Sequence, residues 1–320
     1  MTFAGSPDRL EARLVPEAGY ELDTFRVSGL PRKLGLELVH AVALAARAPF
    51  ECREILARRR PHVVLGGGGY VAGPMVLAAW TRRVPVALME ADAHFGLANR
   101  LAAPFASRVF LAFPIAERSG SKYRVTGRPV PARSRPTSRE GGRRLFGLPT
   151  DGPVLLVFGG SQGARSLNEV IVDDLGPSGP AVLHLAGERD FEELRSRVAR
   201  DDYVLVPYTH DFGAALAACD LAVARAGGSV YELAAAGKPA VLVPYPHATG
   251  DHQAKNARHF EKIGAAVVVA DSDIARVPSL VRELLEDPGR LQRMSESMLA
   301  AARPDAADEI AEELIALART

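Results

Sequence analysis

The sequence predicts an α/β protein built from two doubly wound, Rossmann-like domains that face each other across a cleft. Two observations carry this. Short β-rich apolar runs alternate with helix-patterned segments along all 320 residues, the rhythm of βαβ units and parallel sheets. That rhythm breaks between about 128 and 152, where Pro129, Pro131, Pro136 and Pro149 stand among Ser, Thr, Gly and Arg, and then begins again. A chain of this length holds two ordinary domains, each with its own core. The expected boundary puts 1–131 in an N-terminal domain and 132–320 in a C-terminal domain whose last helices close the chain.

Strands are expected at 63–65, 84–88, 109–113 and 123–126, then at 154–158, 181–185, 203–206, 221–224, 240–243 and 266–269, because each is a strand-length apolar run bounded by turn residues. Helical periodicity marks 274–286, 289–302 and 306–317. Residues 2–6 read as the end of a buried strand running into a turn.

Composition is that of a soluble globular protein, with 48% hydrophobic and 24% charged residues. A formal net charge of +1 gives no global attraction toward nucleic acid, and none is expected as a partner. Arg118, Lys122, Arg124, Arg128, Arg133, Arg135, Arg139, Arg143 and Arg144 nevertheless crowd one stretch, opposed only by Glu117 and Glu140. Such a run is either a solvated linker or an attractor for anionic lipid or diphosphate. Cys52 and Cys219 form no metal-ligand or redox pattern and read as small buried hydrophobes in a reducing compartment. No signal-type start and no apolar run of about 18 residues is present, so membrane contact is expected to be peripheral.

Three strands run into glycine turns. Val154–Phe158 meets Gly159-Gly160-Ser161-Gln162-Gly163, and the strand at 221–224 meets Ala226-Gly227-Gly228-Ser229 with Glu232 one turn into the next helix. Ligands of open α/β sheets bind at the carboxyl ends of strands. Backbone N–H groups there hold a diphosphate, and a carboxylate one turn in accepts ribose hydroxyls. The outline is a nucleotide-sugar site, completed by the polar loop 247–253. In the N-terminal half, four glycines, Gly66 to Gly69, follow a strand and precede Tyr70 and a helix, another shaped turn at which a ligand can approach the backbone. The segment 29–50, with Leu30, Leu34, Leu36, Leu38, Val39, Val42 and Phe50 between basic ends, reads either as a core-packed amphipathic helix or as a surface that docks on a membrane.

Five ordered motifs resemble the MurG family: Gly66–Pro74, Glu90 with Gly96-Leu97-Ala98-Asn99-Arg100, Gly159–Arg165, Arg225–Ser229 with Glu232, and Pro244-Tyr245-Pro246-His247 with Asp251-His252-Gln253 and Asn256. The family consists of transferases that move N-acetylglucosamine from UDP-N-acetylglucosamine to lipid I, giving lipid II for peptidoglycan. The resemblance spans nearly the whole chain. It implies a GT-B fold, with the lipid acceptor and membrane handled by the N-terminal domain and the UDP-sugar mainly by the C-terminal one. Carried over by motif, Ser161 in its glycine turn would meet the diphosphate, the backbone near Thr209 the uracil, Gly227, Gly228 and Ser229 a phosphate, and Glu232 the ribose. Gln253, with Asn99, would reach the sugar, and Gln162, Gly163, Asn256, Gly69 and Tyr70 belong to the substrate-binding set. No cofactor and no metal is implied. Partners are UDP-N-acetylglucosamine, lipid I and an anionic membrane surface, and the location is peripheral, at the cytoplasmic face of the plasma membrane.

Three departures stand out. The family's first strand and Gly-Gly-Thr-x-Gly-His loop have no counterpart before Met1-Thr2-Phe3, which leads to the expectation that Met1 is an internal codon with the loop encoded upstream. The family's Gly-Asn-Pro-Val-Arg is Gly127-Arg128-Pro129-Val130-Pro131, so the role of its Arg passes to Arg128 or Arg133. Its His-Glu-Gln-Asn is Met89-Glu90-Ala91-Asp92, retaining Glu90. The reaction expected is an inverting hexosyl transfer, with the glycine turns relieving charge on the departing diphosphate and Glu90 or His94 as the catalytic base. Two other readings fit the same residues: a UDP-sugar-binding protein without turnover, and a GT-B glycosyltransferase with another acceptor.

Overall fold

The computed structural model describes residues 1–28, 35–160 and 163–319, without the side chains of 36–40. The chain divides into two compact units. The first comprises residues 1–91, 95–126 and 308–320, and the second 92–94 and 127–307. The sequence places the last helix with residues 132–320, whereas the structure packs it on the first unit. Its apolar stripe identifies a buried face but not the sheet that covers it.

In the first unit, β1 (Phe3–Gly5) and β2 (Leu22–Thr24) form a parallel pair around α1 (Glu11–Glu17). The long α2 (Leu36–Arg59) leads to a parallel sheet in the order β3 (Val64–Gly66), β4 (Val86–Glu90), β5 (Arg108–Leu111), β6 (Tyr123–Val125). Helix α3 (Gly69–Thr81) connects β3 to β4, and α4 (Leu97–Ala102) lies between β4 and β5. Val76, Val86, Leu88, Val109 and Leu111 are nearly inaccessible and form the centre of one core face with Cys52 and Leu56 of α2. Ala87 and Phe110 point the other way and meet Ile310 of the last helix.

The second unit is a parallel sheet in the order β12 (Ala266–Val268), β11 (Ala240–Leu242), β10 (Leu221–Ala224), β7 (Val154–Phe158), β8 (Ala181–Leu185), β9 (Tyr203–Val206). Strands buried on both faces read as continuous apolar runs, and every residue of β7, β8 and β10 is buried. The helices that cover it are α5 (Arg139–Phe146), α6 (Arg165–Leu175), α7 (Glu188–Arg195), α8 (Phe212–Ala218), α9 (Val230–Ala235), α10 (His252–Lys262), α11 (Val277–Leu285) and α12 (Pro288–Ala301). The chain winds from β7 through β8 to β9 on one side and from β10 to β12 on the other, so the sheet reverses between β7 and β10, where Phe158 pairs with Ala224. Helix α13 (Ala306–Leu317) follows.

Cys52 and Cys219 are buried and unpaired, as the sequence suggests. Burial pushes their thiols up to about 12 and about 11, respectively, leaving neither as a ready nucleophile.

Candidate functional site

Because β7 and β10 are neighbours at the reversal, the glycine turns that follow them leave the sheet side by side, the position at which doubly wound sheets bind ligands. Ser161 and Gln162 lie outside the described residues. Gly163, at φ +74°, is backed so closely that a Cβ would come within 2.4 Å of the Ala186 carbonyl oxygen and 3.2 Å of Asp190 Oδ2.

That backing is part of a buried polar chain. Asn168 Nδ2 donates to Ala186 O at 2.8 Å and to Asp190 Oδ2 at 2.9 Å, leaving its Oδ1 as acceptor from His184 Nε2 at 3.0 Å. His184 Nδ1 then accepts from the Tyr203 hydroxyl at 2.8 Å. The imidazole is fully buried, and desolvation lowers its pKa to about 3, so it is neutral at physiological pH. The same burial pushes the Tyr203 phenol up, keeping it a hydrogen-bond donor.

The two turns are tied together by Arg225, which follows β10 and is buried. Nη1 donates to Asp271 Oδ1 at 2.6 Å and to the carbonyls of Val243 and Pro244, while Nη2 reaches Ser166 Oγ in the first turn of α6 at 2.8 Å. Ser166 closes the triangle by donating to Asp271 Oδ1 at 3.1 Å. The carboxyl ends of β10 and β11 and the start of α6 thus share one charge-assisted knot.

Around Gly227–Glu232 the second unit gathers side chains of complementary chemistry. Glu232 is half-buried, and its Oε1 accepts from the buried Ser134 hydroxyl at 2.5 Å. Gln253 Oε1 accepts from the Tyr245 N–H at 2.9 Å, and its Nε2 lies 3.9 Å from where a Gly227 Cβ would be. Arg128 places its guanidinium where a Gly228 side chain would stand. Ser229 contributes its carbonyl, which accepts the Glu232 and Leu233 N–H groups. Thr209 Oγ1 accepts from the Asp211 N–H at 3.0 Å and so fixes the loop before α8.

Asn256 has a different environment from the one its motif implies. It is fully buried, with Oδ1 accepting from Ala93 N–H at 2.7 Å and Nδ2 donating to Asp92 Oδ1 at 2.9 Å and Ala226 O at 3.1 Å. Both amide hydrogens are engaged, so Asn256 holds the tripeptide 92–94 within the second unit. His94 belongs to that tripeptide. Its Nδ1 faces the Lys255 ammonium at 3.0 Å, which can only donate, so this nitrogen presents its lone pair to Lys255. Its ring also packs on Gly250, where a Cβ would fall 2.5 Å from Nε2.

In the first unit, Gly68 and Gly69 adopt φ +87° and +69°, and α3 starts there with Tyr70 packed against the core. Glu90 ends the adjacent strand β4 and is buried, with Oε2 accepting from Gly96 N–H and Asn99 Nδ2, both at 2.9 Å. Asn99 also donates to Met89 O at 3.0 Å, which fixes the orientation of its amide. Among the described residues its Oδ1 is buried without a hydrogen-bond partner, and it lies 4.0 Å from a Cβ built on Gly68. Glu90, Asn99 and the glycine turn therefore do come together, as a set within this unit.

Comparison with known proteins identifies this arrangement. The N-terminal domain of glycosyltransferase family 28 matches residues 2–111, and its C-terminal domain matches 154–310. A Halothermothrix orenii protein named UDP-N-acetylglucosamine–N-acetylmuramyl-(pentapeptide) pyrophosphoryl-undecaprenol N-acetylglucosamine transferase is 38% identical over 94% of this chain and 87% of its own. A Mycobacterium protein of the same name is 42% identical over all of this chain and 88% of its own. The crystal structure of Acinetobacter baumannii MurG superposes with a TM-score of 0.75 at 27% identity, covering 98% of this chain and 90% of that one. The chain belongs to the MurG family. The calicheamicin glycosyltransferase CalG4, at 19% identity and a TM-score of 0.68 over 98% of this chain and 90% of its own, shares the fold. The expected GT-B class and glycosyltransferase activity are thereby shown.

Sequence reasoning missed Ser134, the His184–Asn168–Asp190 chain and the Arg225–Asp271–Ser166 knot. A His inside the otherwise apolar run Ala181–Leu185 was the one available signal, since a polar side chain in a doubly buried strand must find a partner. Among the described residues, no group of three His, Cys, Asp or Glu side chains is placed to hold a metal ion.

Proposed function

We propose that the chain transfers N-acetylglucosamine from UDP-N-acetylglucosamine to lipid I, forming lipid II, and that the cluster around Gly227–Glu232 holds the donor. The observation that carries the donor assignment is Glu232. It offers one oxygen to Ser134 and keeps the other for a ribose hydroxyl, beside a cation at Gly228 and an amide at Gly227. Sequence identity to transferases of that name over nearly the full chain supports the substrate pair.

In the transfer, the acceptor hydroxyl attacks the anomeric carbon, its C–O bond forming as the bond to the diphosphate breaks with inversion, and the hydroxyl proton passes to a base. Glu90 is the proposed base. His94 is less suited, because Nδ1 already faces Lys255. Gln253 orients the sugar, and backbone N–H groups of the glycine turns stabilise the leaving UDP. In the first unit, the Gly66–Gly69 turn with Tyr70, Asn99 and Glu90 takes the acceptor.

The decisive experiment follows UDP release and lipid II formation on one preparation given UDP-N-acetylglucosamine and lipid I. Binding of the nucleotide sugar without lipid II would leave the non-catalytic reading, and turnover only with another acceptor would change the substrate.

Membrane docking through the first unit belongs to the same proposal. No helix among the described residues is long and apolar enough to cross a membrane. Val42 and Phe50 of α2 are exposed, as are Leu77 and Trp80 of α3 and Leu97 and Leu101 of α4. Arg53 donates to Thr81 at 2.7 Å, bringing a basic side chain next to Trp80. Residues 29–34 of the expected docking segment lie outside the described residues. Anionic vesicles should retain the protein at low salt and release part of it as screening rises. Equal, negligible retention on neutral and anionic vesicles would remove this part of the reading.

A further inference from the structure

We infer that Arg128 is the side chain that reads the donor's diphosphate in this protein, an assignment that rests on the donor site proposed above. A Cβ built on Gly228 would lie 2.2 Å from Arg128 Nη1, 2.4 Å from Cζ and 2.6 Å from Nη2. The guanidinium therefore fills the volume that glycine leaves open and lies against the backbone of the turn. Arg128 is half-buried and, among the described residues, makes no hydrogen bond and no ion pair. Glu232, the nearest carboxylate along this turn, directs Oε1 to Ser134 instead.

The rest of the basic stretch is either engaged with other groups or exposed. Arg143 is buried among the carbonyls of Pro149, Thr150, Gly152 and Ala218 and pairs with Asp220, which Arg139 also contacts. Arg124 faces Glu313, Arg118 lies 4.4 Å from the Phe95 ring centroid, and Lys122 donates to the Ala103 carbonyl. Arg133, Arg135 and Arg144 are exposed. Arg128 is thus set apart from its neighbours by being both partly desolvated and unpaired.

A guanidinium in that state lacks the anion that would compensate its desolvation. Its planar fork matches two phosphate oxygens at once, which an ammonium does not. The open carboxylate oxygen of Glu232 starts one turn of helix away, the order in which a nucleoside diphosphate presents ribose and then phosphate. The matching ligand class is a nucleoside diphosphate, with the diphosphate at Arg128 and the ribose at Glu232. It follows that Arg128, and not Arg133, is the functional cation of the segment 127–134.

Calorimetric titration of the full chain with uridine, UMP and UDP tests this. Wild-type protein should prefer UDP to uridine. Arg128→Gln should reduce that preference roughly ten- to hundredfold, as loss of charge-assisted hydrogen bonds does, while uridine affinity stays within twofold of wild type. Arg128→Lys should recover part of the preference through charge alone, and Arg133→Gln should leave it intact. An unchanged UDP-to-uridine ratio in Arg128→Gln, an equal loss for uridine and UDP, or the loss appearing in Arg133→Gln instead would each overturn the assignment while leaving the donor site standing. A wild-type chain that binds no UDP would overturn both.

Discussion

Gly68 and Gly228 each lie in a turn that follows a parallel strand, yet the atoms that close over them differ in kind. Over Gly68 stand the Met89 carbonyl and the Asn99 amide, whose two N–H groups are already donated and whose Oδ1 lacks a partner among the described residues. The Glu90 carboxylate is bonded to the same amide. Over Gly228 lies a guanidinium that is unpaired among the described residues, with a Gln amide nitrogen next to Gly227. The first turn presents an acceptor and suits a sugar hydroxyl or amide N–H, and the second presents donors and suits a phosphate. A glycine turn opens space for a ligand, and the side chains that line that space decide its charge.

The largest test of this contrast concerns the polar chain behind the second unit's turns. His184 is neutral in the fold, with its pKa lowered to about 3, and takes up a proton near 6.5 when unfolded. The unfolded state therefore binds more protons between those values. Stability from this group is complete above about pH 6.5 and falls as pH drops toward about 3, by at most about 1.4 kcal/mol per unit. His184→Phe should remove about 2–4 kcal/mol at pH 7, because the Tyr203 hydroxyl and Asn168 Oδ1 lose their partner, and should flatten the acid dependence. Denaturant titrations of both proteins from pH 7 to pH 4 decide it, and parallel slopes would assign the acid sensitivity elsewhere.

Next in size is the pair Glu232→Ala and Glu90→Gln. The first should weaken UDP-N-acetylglucosamine binding by about 1.5–3 kcal/mol, tenfold or more. The second should leave nucleotide-sugar affinity within twofold and slow lipid II formation. If both variants lose UDP-sugar affinity equally, the two turns do not divide the substrates as argued.

The smallest effects separate the glycines themselves. A Gly66→Ala methyl would meet Leu88 Cδ2 at 2.9 Å in the packed core, at a cost of about 1 kcal/mol or more in stability. Gly228→Ala meets only the movable end of Arg128, so the midpoint of unfolding should barely change while UDP affinity falls. Melting and UDP titration of both variants would expose the reverse pattern if packing and binding were exchanged.

Much of this was legible beforehand. The ten expected strands all form, with ends shifted by up to two residues, because doubly buried parallel strands are written as uninterrupted apolar runs. The strand Leu22–Thr24 was not seen, since three residues with one buried side chain carry no periodicity. Glycine turns located the site because their spacing is local. The polar partners were harder to find: Ser134 and Glu232 are 98 residues apart, and His184 and Asn168 sit on different elements. Such pairings exist only once the sheet order is known. The motif puts Asn256 in the substrate-binding set, whereas its amide is bonded to Asp92, Ala93 and Ala226, partners that no local spacing reveals.

The return of residues 308–320 to the first unit has a consequence for synthesis. Residues 127–307 emerge from the ribosome as a nearly contiguous unit and can acquire their core while translation continues, as domains generally do. The first unit begins earlier and finishes later. Phe110 and Ala87 await Ile310, and Arg108 awaits Glu313, its partner at 2.9 Å. For the whole time that the second unit is being made, the nascent first unit carries an uncovered sheet face, the state in which chaperone capture and aggregation compete with folding.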